Sequence, residues 1–516
     1  MSRTPDSTTA ATGTVTTPVV APREDARLTG RYRSLAGAIA CSQLVEYFDF
    51  YTIGFVVSMI SEPWHLTFGE DAAILLATGV GTIFGSLLWG WLGDRFGRRP
   101  TLVASVVTFS LATGLSALTP TGWWWLLAVF RLIVGMGTGA TNTCGPPMLL
   151  EYTPTRHRTV YAGIFSVALV PVGGVITSTV VGSAGDSLGF RGVLLLGLLP
   201  LLELIWLLKA VPESPRWLAR QGRVAEAEAN IERIFGPGTA TTGTVSVPAR
   251  AGRGRSHYLA MVRLARPFWS TVLLWVLIDT VFAGVGLWGP TLISQVQNVD
   301  TQSAANLFII VTLAGFAGRL ACPLVARRFG RRIAGAAAGV GGGVLLALSG
   351  LLHSYTLGGV SAFFLLMVVG YVFADGGFTN LVPFTGEVWP SELRVHGQGL
   401  GNAMGGLGKI IGPLALALFA DSSNFVEPEA TTRAILPVFV FFGVVILLCA
   451  VVFLTIAPET NRRSLESVSG LADTADTAGT ADGAGGAGGA GGAGGGAAPG
   501  AAARQRPPRE DMRPGR

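Results

Sequence analysis

The chain has 516 residues, half of them hydrophobic and only 13% charged, with a mean hydropathy of +0.52. A soluble chain of this size carries about a quarter charged residues, so a soluble enzyme or binding domain is excluded and an integral membrane protein is indicated. The formal charge of +6 is no nucleic-acid footprint, because the arginines that supply it gather at one membrane face.

Residues 1–33 are polar and rich in Thr and Pro, with basic residues just before the first apolar run. They lack the pattern of a cleavable signal peptide and are expected to form a disordered cytoplasmic N-terminus. Twelve apolar spans follow, each long enough for a bilayer core. The first six lie near 34–60, 72–93, 100–118, 123–149, 158–182 and 190–211. The second six lie near 268–290, 305–326, 332–353, 358–386, 396–420 and 433–456. The organisation read from them is a six-span half over 34–211, a cytoplasmic central loop over 212–267, a second six-span half over 268–456 and a cytoplasmic Gly/Ala-rich tail over 457–516. The spans are rich in Gly and Ala, which suits close helix approach where lipid supplies no hydrophobic drive. Within the central loop, 215–235 reads as a surface helix with apolar Trp217, Leu218, Val224, Ala227, Ile231 and Ile234, and 236–256 as a flexible linker. The tail cannot bury a core and is expected to be disordered.

The loops at 61–71, 119–122, 183–189, 291–304, 354–357 and 421–432 contain no Lys or Arg. The alternate loops carry Arg95, Arg98, Arg99, Arg156, Arg158, Arg327, Arg328, Arg331, Arg332 and Arg394. By the positive-inside rule both termini and the central loop are cytoplasmic. The four cysteines, Cys41, Cys144, Cys322 and Cys449, all fall inside spans without metal-ligand spacing and read as buried thiols. No cofactor or metal site is expected, and no phosphate loop or nucleophile constellation points to an enzyme.

Three strings occur twice, in the same order. Gly93-Asp94-Arg95-Phe96-Gly97-Arg98-Arg99 returns as Ala326-Arg327-Arg328-Phe329-Gly330-Arg331-Arg332. An E-x-x-P-[TS]-x-x-R string runs from Glu151 to Arg158 and from Glu387 to Arg394, and Pro212-Glu213-Ser214 is matched by Pro458-Glu459-Thr460. Ordered landmarks of this kind mark a duplicated unit. With an even span count in each half the repeats are parallel, and such halves hold a solute site between them.

These strings resemble the signatures of the major facilitator superfamily. Gly90 to Arg99 resembles the signature between its second and third helices, and Arg131-x3-Gly135-x-Gly137-x-Gly139 that of its fourth. The E-x6-R strings and the Pro-Glu pairs are similar to those of the sugar-porter and metabolite–proton symporter branch. The resemblance spans about 35–465 and implies an all-α fold of 12 transmembrane helices in two parallel six-helix repeats, working as a monomer in the lipid bilayer with protons and a small-molecule substrate as partners. It also implies a cytoplasmic gate built from Gly90, Asp94, Arg95, Gly97, Arg98, Glu151 and Arg158 in the first half, and Arg328, Gly330, Arg331, Glu387 and Arg394 in the second. Pairs such as Glu151 with Arg158, and Glu387 with Arg394, would form when the cytoplasmic side closes and break when it opens. The second copy has Arg327 in place of the aspartate, so the two gates are expected to differ in strength.

Ionisable residues inside spans are functional candidates by default. Glu46 and Asp49 lie three apart on one face of the first span, and Arg131 lies in the fourth. The resemblance makes Asp49 the proton acceptor and Arg131 its partner. Asp279 in the seventh span and Asp375 with Asn380 in the tenth are candidate substrate contacts. Trp288 is read either as a cap on the cavity or as an interfacial belt residue.

The seventh span reads Val276-Leu277-Ile278-Asp279-Thr280-Val281-Phe282, without the glutamine pair with which sugar porters grip hydroxyls. The string Glu46-Tyr47-Phe48-Asp49-Phe50-Tyr51 looks more like the metabolite–proton and aromatic-acid–proton symporters. A proton-coupled symporter of a small organic or aromatic acid is the leading expectation. A proton-driven exporter, a sugar transporter and a non-transporting sensor are the alternatives. Four cavity acids against one arginine oppose an anion, which leaves a cationic or zwitterionic substrate open.

Overall fold

The computed structural model describes residues 14–154, 157, 169–248, 261–389 and 393–460. The first half contains α1 (Gly30–Ile60), α2 (Phe68–Phe96), α3 (Arg98–Ser116), α4 (Trp124–Tyr152), α5 (Leu169–Leu195) and α6 (Pro200–Ala210). Two short helices follow, α7 (Pro215–Arg220) and α8 (Val224–Phe235). The second half contains α9 (Ala265–Gln297), α10 (Thr301–Phe329), α11 (Arg331–Leu351), α12 (Ala362–Val388), α13 (Arg394–Phe419) and α14 (Pro428–Thr455). Among the described residues, nine helices are long and apolar enough to cross a bilayer. One of these, Val170–Ala210, holds the fifth and sixth spans on either side of a break at Gly189 (φ 58). The remaining two spans are α1, diluted by Glu46 and Asp49, and α3, which opens on Arg98 and Arg99 and carries Ser and Thr. The fold is the twelve-span, two-repeat arrangement expected.

Short polar side chains cap the starts of α1, α2 and α10. The Thr29 hydroxyl accepts from the Tyr32 amide at the start of α1, and Thr67 and Glu70 form a reciprocal capping box on α2. Asp300 caps α10 by accepting from the amide of Ser303, and the Ser303 donors hold its carboxyl below the usual aspartate range. These caps satisfy amides that have no partner inside the helix.

The same neighbours recur in each half. In the first, α4 packs on α2 and α3; in the second, α12 packs on α10 and α11. The glycine row of α4 explains how close that approach is. A Cβ at Gly135 would stand 2.1 Å from the Thr78 carbonyl oxygen, and one at Gly81 of α2 would stand 2.1 Å from that of Leu132. The helix signature read in the sequence therefore serves packing as well as the placing of Arg131.

Between the halves, α1 packs on α9, α2 on α13 and α5 on α10. Most of their mutual hydrogen bonds cluster at the end opposite the Gly-Arg-Arg turns. There the main chains of the α1–α2 and α13–α14 connections pair: Phe68 N–H donates to Asn424 O (2.9 Å), Gly69 N–H to Ser422 O (3.0 Å) and Val426 N–H to Leu66 O (3.2 Å). Asp421 (φ 65) shapes the second connection by accepting from the Ser423 amide and hydroxyl, which keep its carboxyl below its ordinary range. Gln302 adds a bond to Gly182 O (2.9 Å), and nearer the middle Asn402 donates to Ser86 Oγ (3.1 Å). At the basic end, no hydrogen bond or ion pair between described residues joins the halves. Among the described residues, the halves are joined at one end and not at the other.

Trp288 lies at the joined end. It is fully buried, its indole N–H donates to Pro413 O (3.1 Å), and its ring packs on Phe68 at 6.0 Å. This corrects the belt expectation, since a lipid-facing residue would be exposed; Trp288 bridges α9, α13 and α2.

Two further segments depart from expectation. Residues 14–22, within the stretch read as disordered, form β1 (Thr14–Pro22), which pairs antiparallel with β2 (Ala240–Pro248) from the expected flexible linker. Both stretches are rich in Thr and Val, whose branched side chains favour extended backbone. The 215–235 segment is two helices rather than one, broken at Gly222 (φ 77). Its apolar face (Leu218, Ala227, Ile231, Phe235) shares a buried cluster with Tyr32 and Leu35 of α1 and Met148 and Tyr152 of α4. Residues 461–516, including nearly all of the expected tail, lie outside the described residues.

Candidate functional site

At the basic end the three repeated strings meet in one station per half. The α2–α3 turn needs Gly97 (φ 106) and the α10–α11 turn Gly330 (φ 95), since L side chains rarely adopt that backbone. A carboxylate from the Pro-Glu string fills the space a Cβ would need. Glu213 accepts from the amides of Arg98 (2.9 Å) and Arg99 (3.2 Å), and Glu459 from those of Arg331 (3.0 Å) and Arg332 (3.2 Å). Each carboxylate thus sits on a helix N-terminus, where free amides and the dipole favour negative charge. The second arginine of each turn, Arg99 or Arg332, donates to carbonyls at the end of the last span of its own half, Leu208 O and Phe453 O respectively.

The first arginine of each pair holds the glutamate of the E-x6-R string. Arg98 meets Glu151 at 2.5 Å, and Arg331 grips Glu387 through two bonds of 2.7 and 2.6 Å. These pairs join helices within one half. The expected partner Arg158 lies outside the described residues, as does the side chain of Arg394. Arg95 stacks over Trp91 and Phe96, and Arg328 over Phe329. Asp94 is exposed, and its backbone carbonyl accepts from Trp217. A Cβ at Gly90 would meet nothing.

Asn380 belongs to this station and not to the substrate cavity, which corrects its expected place. Its amide donates to Arg331 O at 2.9 Å, and its oxygen accepts from the Arg331 guanidinium at 3.4 Å. Five residues on a helix advance about 7.5 Å and turn about 140°, so Asn380 leaves both the depth and the face of Asp375.

Deeper in the bundle, Glu46 and Asp49 share a face of α1, as their spacing requires. Asp49 faces Arg131 of α4, whose NH1 donates to both carboxylate oxygens at 3.3 and 3.2 Å, and it accepts from Thr113 Oγ1 of α3 at 2.6 Å. Arg131 also donates to Ser116 Oγ at 3.2 Å, while its Nε is buried without a partner. Glu46 accepts from Thr141 and from Asn142 (2.7 Å) of α4. In the second half Asp375 pairs with Arg319 of α10 through two short parallel bonds, 2.7 Å from Nε and 2.6 Å from NH2. Asp279 of α9 is buried with Oδ2 unpartnered. Around these groups stand aromatic rings: Phe50 stacks on Phe282 at 5.1 Å, Phe282 meets Phe378 at 5.6 Å, and Tyr47 and Tyr51 lie edge-on to Phe282.

Residues 39–413 match the Major Facilitator Superfamily. The chain belongs to that superfamily. Within it, the chain is 28% identical over 445 residues to the niacin transporter NiaP of Acinetobacter baylyi, covering 84% of this chain and 96% of that one. It is 29% identical over 390 residues to the gallate transporter of Pseudomonas putida, covering 72% and 82%. A solved structure of the Escherichia coli xylose transporter XylE, in a partially occluded inward-open conformation, superposes with a TM-score of 0.65 over 84% of this chain and all of that one, at 20% identity. The last likeness shows the fold alone. The chain is a multi-pass membrane transporter of metabolites and not an enzyme.

For a superfamily transporter the centre carries more positive charge than the sequence reading allowed. Arg319 and Lys409 were not anticipated there, though both sit inside apolar spans where a lone cation is itself a signal. Arg319 lies over Phe378 at 4.7 Å and over Phe282 at 5.8 Å, and the Lys409 ammonium lies 5.7 Å from the Phe50 ring. Four acids (Glu46, Asp49, Asp279, Asp375) therefore face three cations (Arg131, Arg319, Lys409), which removes the objection to an anion that a single arginine raised.

The two ion pairs differ in kind. Arg319–Asp375 is fork-to-fork and short, the geometry of a strong charge-assisted pair. Arg131–Asp49 is held by one nitrogen at more than 3 Å, with a threonine hydroxyl sharing the carboxylate. Glu203 of α6 accepts from Ser42 and lies outside this group.

Proposed function

We propose that the protein is a proton-coupled symporter that takes up a small aromatic or other organic acid across the plasma membrane by rocker-switch alternating access. Asp49 is its proton acceptor and Arg131 the cation that answers it; the long, one-armed contact between them is the observation that carries the reading. A carboxylate held in that way can gain a proton and release its arginine without dismantling a tight pair. With all groups ionised the centre holds four negative and three positive charges, so one proton cancels the excess and an anion is admitted with it. The names of the niacin and gallate relatives support an aromatic acid, as does the ring-lined centre; the seventh span offers a sugar few hydroxyl partners.

The basic end is cytoplasmic by the positive-inside rule, which puts both termini there and makes the joined end external. The conformation is then inward-facing. On return to the outward-facing state the basic ends close, and α2 brings Asp94 toward the N-terminus of α13, where its charge is favourable. Arg327, the equivalent residue of α10, carries the opposite charge, which a helix N-terminus does not favour. Asp94→Ala is therefore expected to slow reorientation of the carrier several-fold more than Arg327→Ala, read as initial rates of counterflow. Equal effects would remove Asp94 from the gate.

The reading is tested in proteoliposomes without an imposed gradient. Adding niacin, gallate or a related acid outside is expected to raise the external pH as protons enter with it. Uptake without alkalinisation would show uncoupled transport, and acidification would show exchange, as in an exporter.

A further inference from the structure

Three cations stand among the buried acids, and two are already paired with one of them. Arg131 is buried and donates to Asp49 and Ser116. Arg319 is buried, forked by Asp375, and covered by Phe378 and Phe282. Lys409 of α13 is only half-buried, and among the described residues it has no hydrogen bond and no ion pair within 4 Å. Glu46 of α1 and Asp279 of α9 lie close enough to feel its charge, yet neither touches it.

The backbone around Lys409 explains why it projects alone. Gly405 and Gly408 press against Asp279, Gly406 against Ile83 of α2, and Gly412 against the backbone of α9. Lys409 is thus a long side chain on a stretch in which Gly405, Gly406, Gly408 and Gly412 have none, and its ammonium lies 5.7 Å from the Phe50 ring centroid. Its ammonium is open to an incoming group, and nothing described supplies it an acceptor. A ligand carboxylate would.

We propose that Lys409 is the anchor for the carboxylate of the transported acid, with the Phe50 ring as the adjoining aromatic surface. The assignment rests on the reading of the protein as an organic-acid transporter and names the contact that selects the acid. Phe50, Phe282 and Phe378 are each less than 10% exposed, so a substrate ring reaches this place as the halves part at the basic end.

The test uses the full-length purified protein and two probes of one shape, nicotinate and its neutral amide nicotinamide, with binding measured by calorimetry. Wild type is expected to prefer the acid by about 10- to 100-fold, the worth of one hydrogen bond to a charged group. Lys409→Gln should erase that preference and leave the amide affinity within about twofold, while Lys409→Arg should keep most of it. Should Lys409→Gln not be recovered folded, Lys409→Met is read in the same way. A neutral variant that still prefers the acid, or a wild type that binds acid and amide alike, overturns the anchor and leaves the transport reading standing. A wild type that binds neither probe, and takes up neither niacin nor gallate, overturns both.

Discussion

Asp49→Asn is expected to abolish gradient-driven accumulation while sparing exchange of substrate across the membrane. For a one-to-one symport of proton and monoanion, each pH unit of gradient is worth about 1.4 kcal/mol and supports about tenfold accumulation. With asparagine at position 49 the proton has no acceptor there, so internal substrate should stop at the external concentration whatever the gradient. Counterflow needs only that loaded carrier reorient, and the neutral amide mimics the protonated state in which Arg131 is released. The decisive measurement is the ratio of inside to outside substrate at a fixed gradient, with counterflow in the same vesicles as the control for folding. A variant that accumulates like wild type would take Asp49 out of the coupling step.

The second large effect concerns the other buried pair, and there the expected loss is of structure. Asp375→Ala leaves the Arg319 guanidinium charged, buried and without its fork partner, a change that costs about 3–5 kcal/mol. Several degrees should be lost from the thermal transition in detergent. Replacing both members by apolar residues of similar size removes the charge with its partner, and is expected to recover most of the loss. If the double variant is stable yet inactive, the pair does more than hold α10 to α12. If Asp375→Ala is as stable as wild type, the tight geometry described for the pair carries no weight.

The architecture was legible because it rests on features that survive as strings. Span lengths follow from bilayer thickness, and the Gly-Arg-Arg turns, the E-x6-R strings and the Pro-Glu strings recur in order because each half folds around the same station. Their meeting was not legible: which glutamate faces which arginine depends on which helices touch. Arg98 holds Glu151 and Arg331 holds Glu387 across intervals that no local spacing suggests. Arg319 and Lys409 stood in plain view as lone cations in apolar runs; finding their roles required the packing of α10 on α12 and the glycine stretch of α13. Nearness in sequence to Asp375 does not give Asn380 nearness in space, since five helical residues carry it round to Arg331. The β1–β2 pairing was hidden for the opposite reason, since its strands come from two distant polar segments that share only their Thr and Val content.

The seal opposite the basic end is written chiefly in main-chain groups, through the pairings of Leu66, Phe68 and Gly69 with Val426, Asn424 and Ser422. A backbone amide makes its bond whatever side chain it carries, yet Gly69 is held to glycine, because a Cβ there would stand 2.9 Å from the Ser422 carbonyl oxygen. Span residues such as Phe50, Asp279 and Lys409 take no part in these pairings, so exchanging them is expected to leave this closure unchanged.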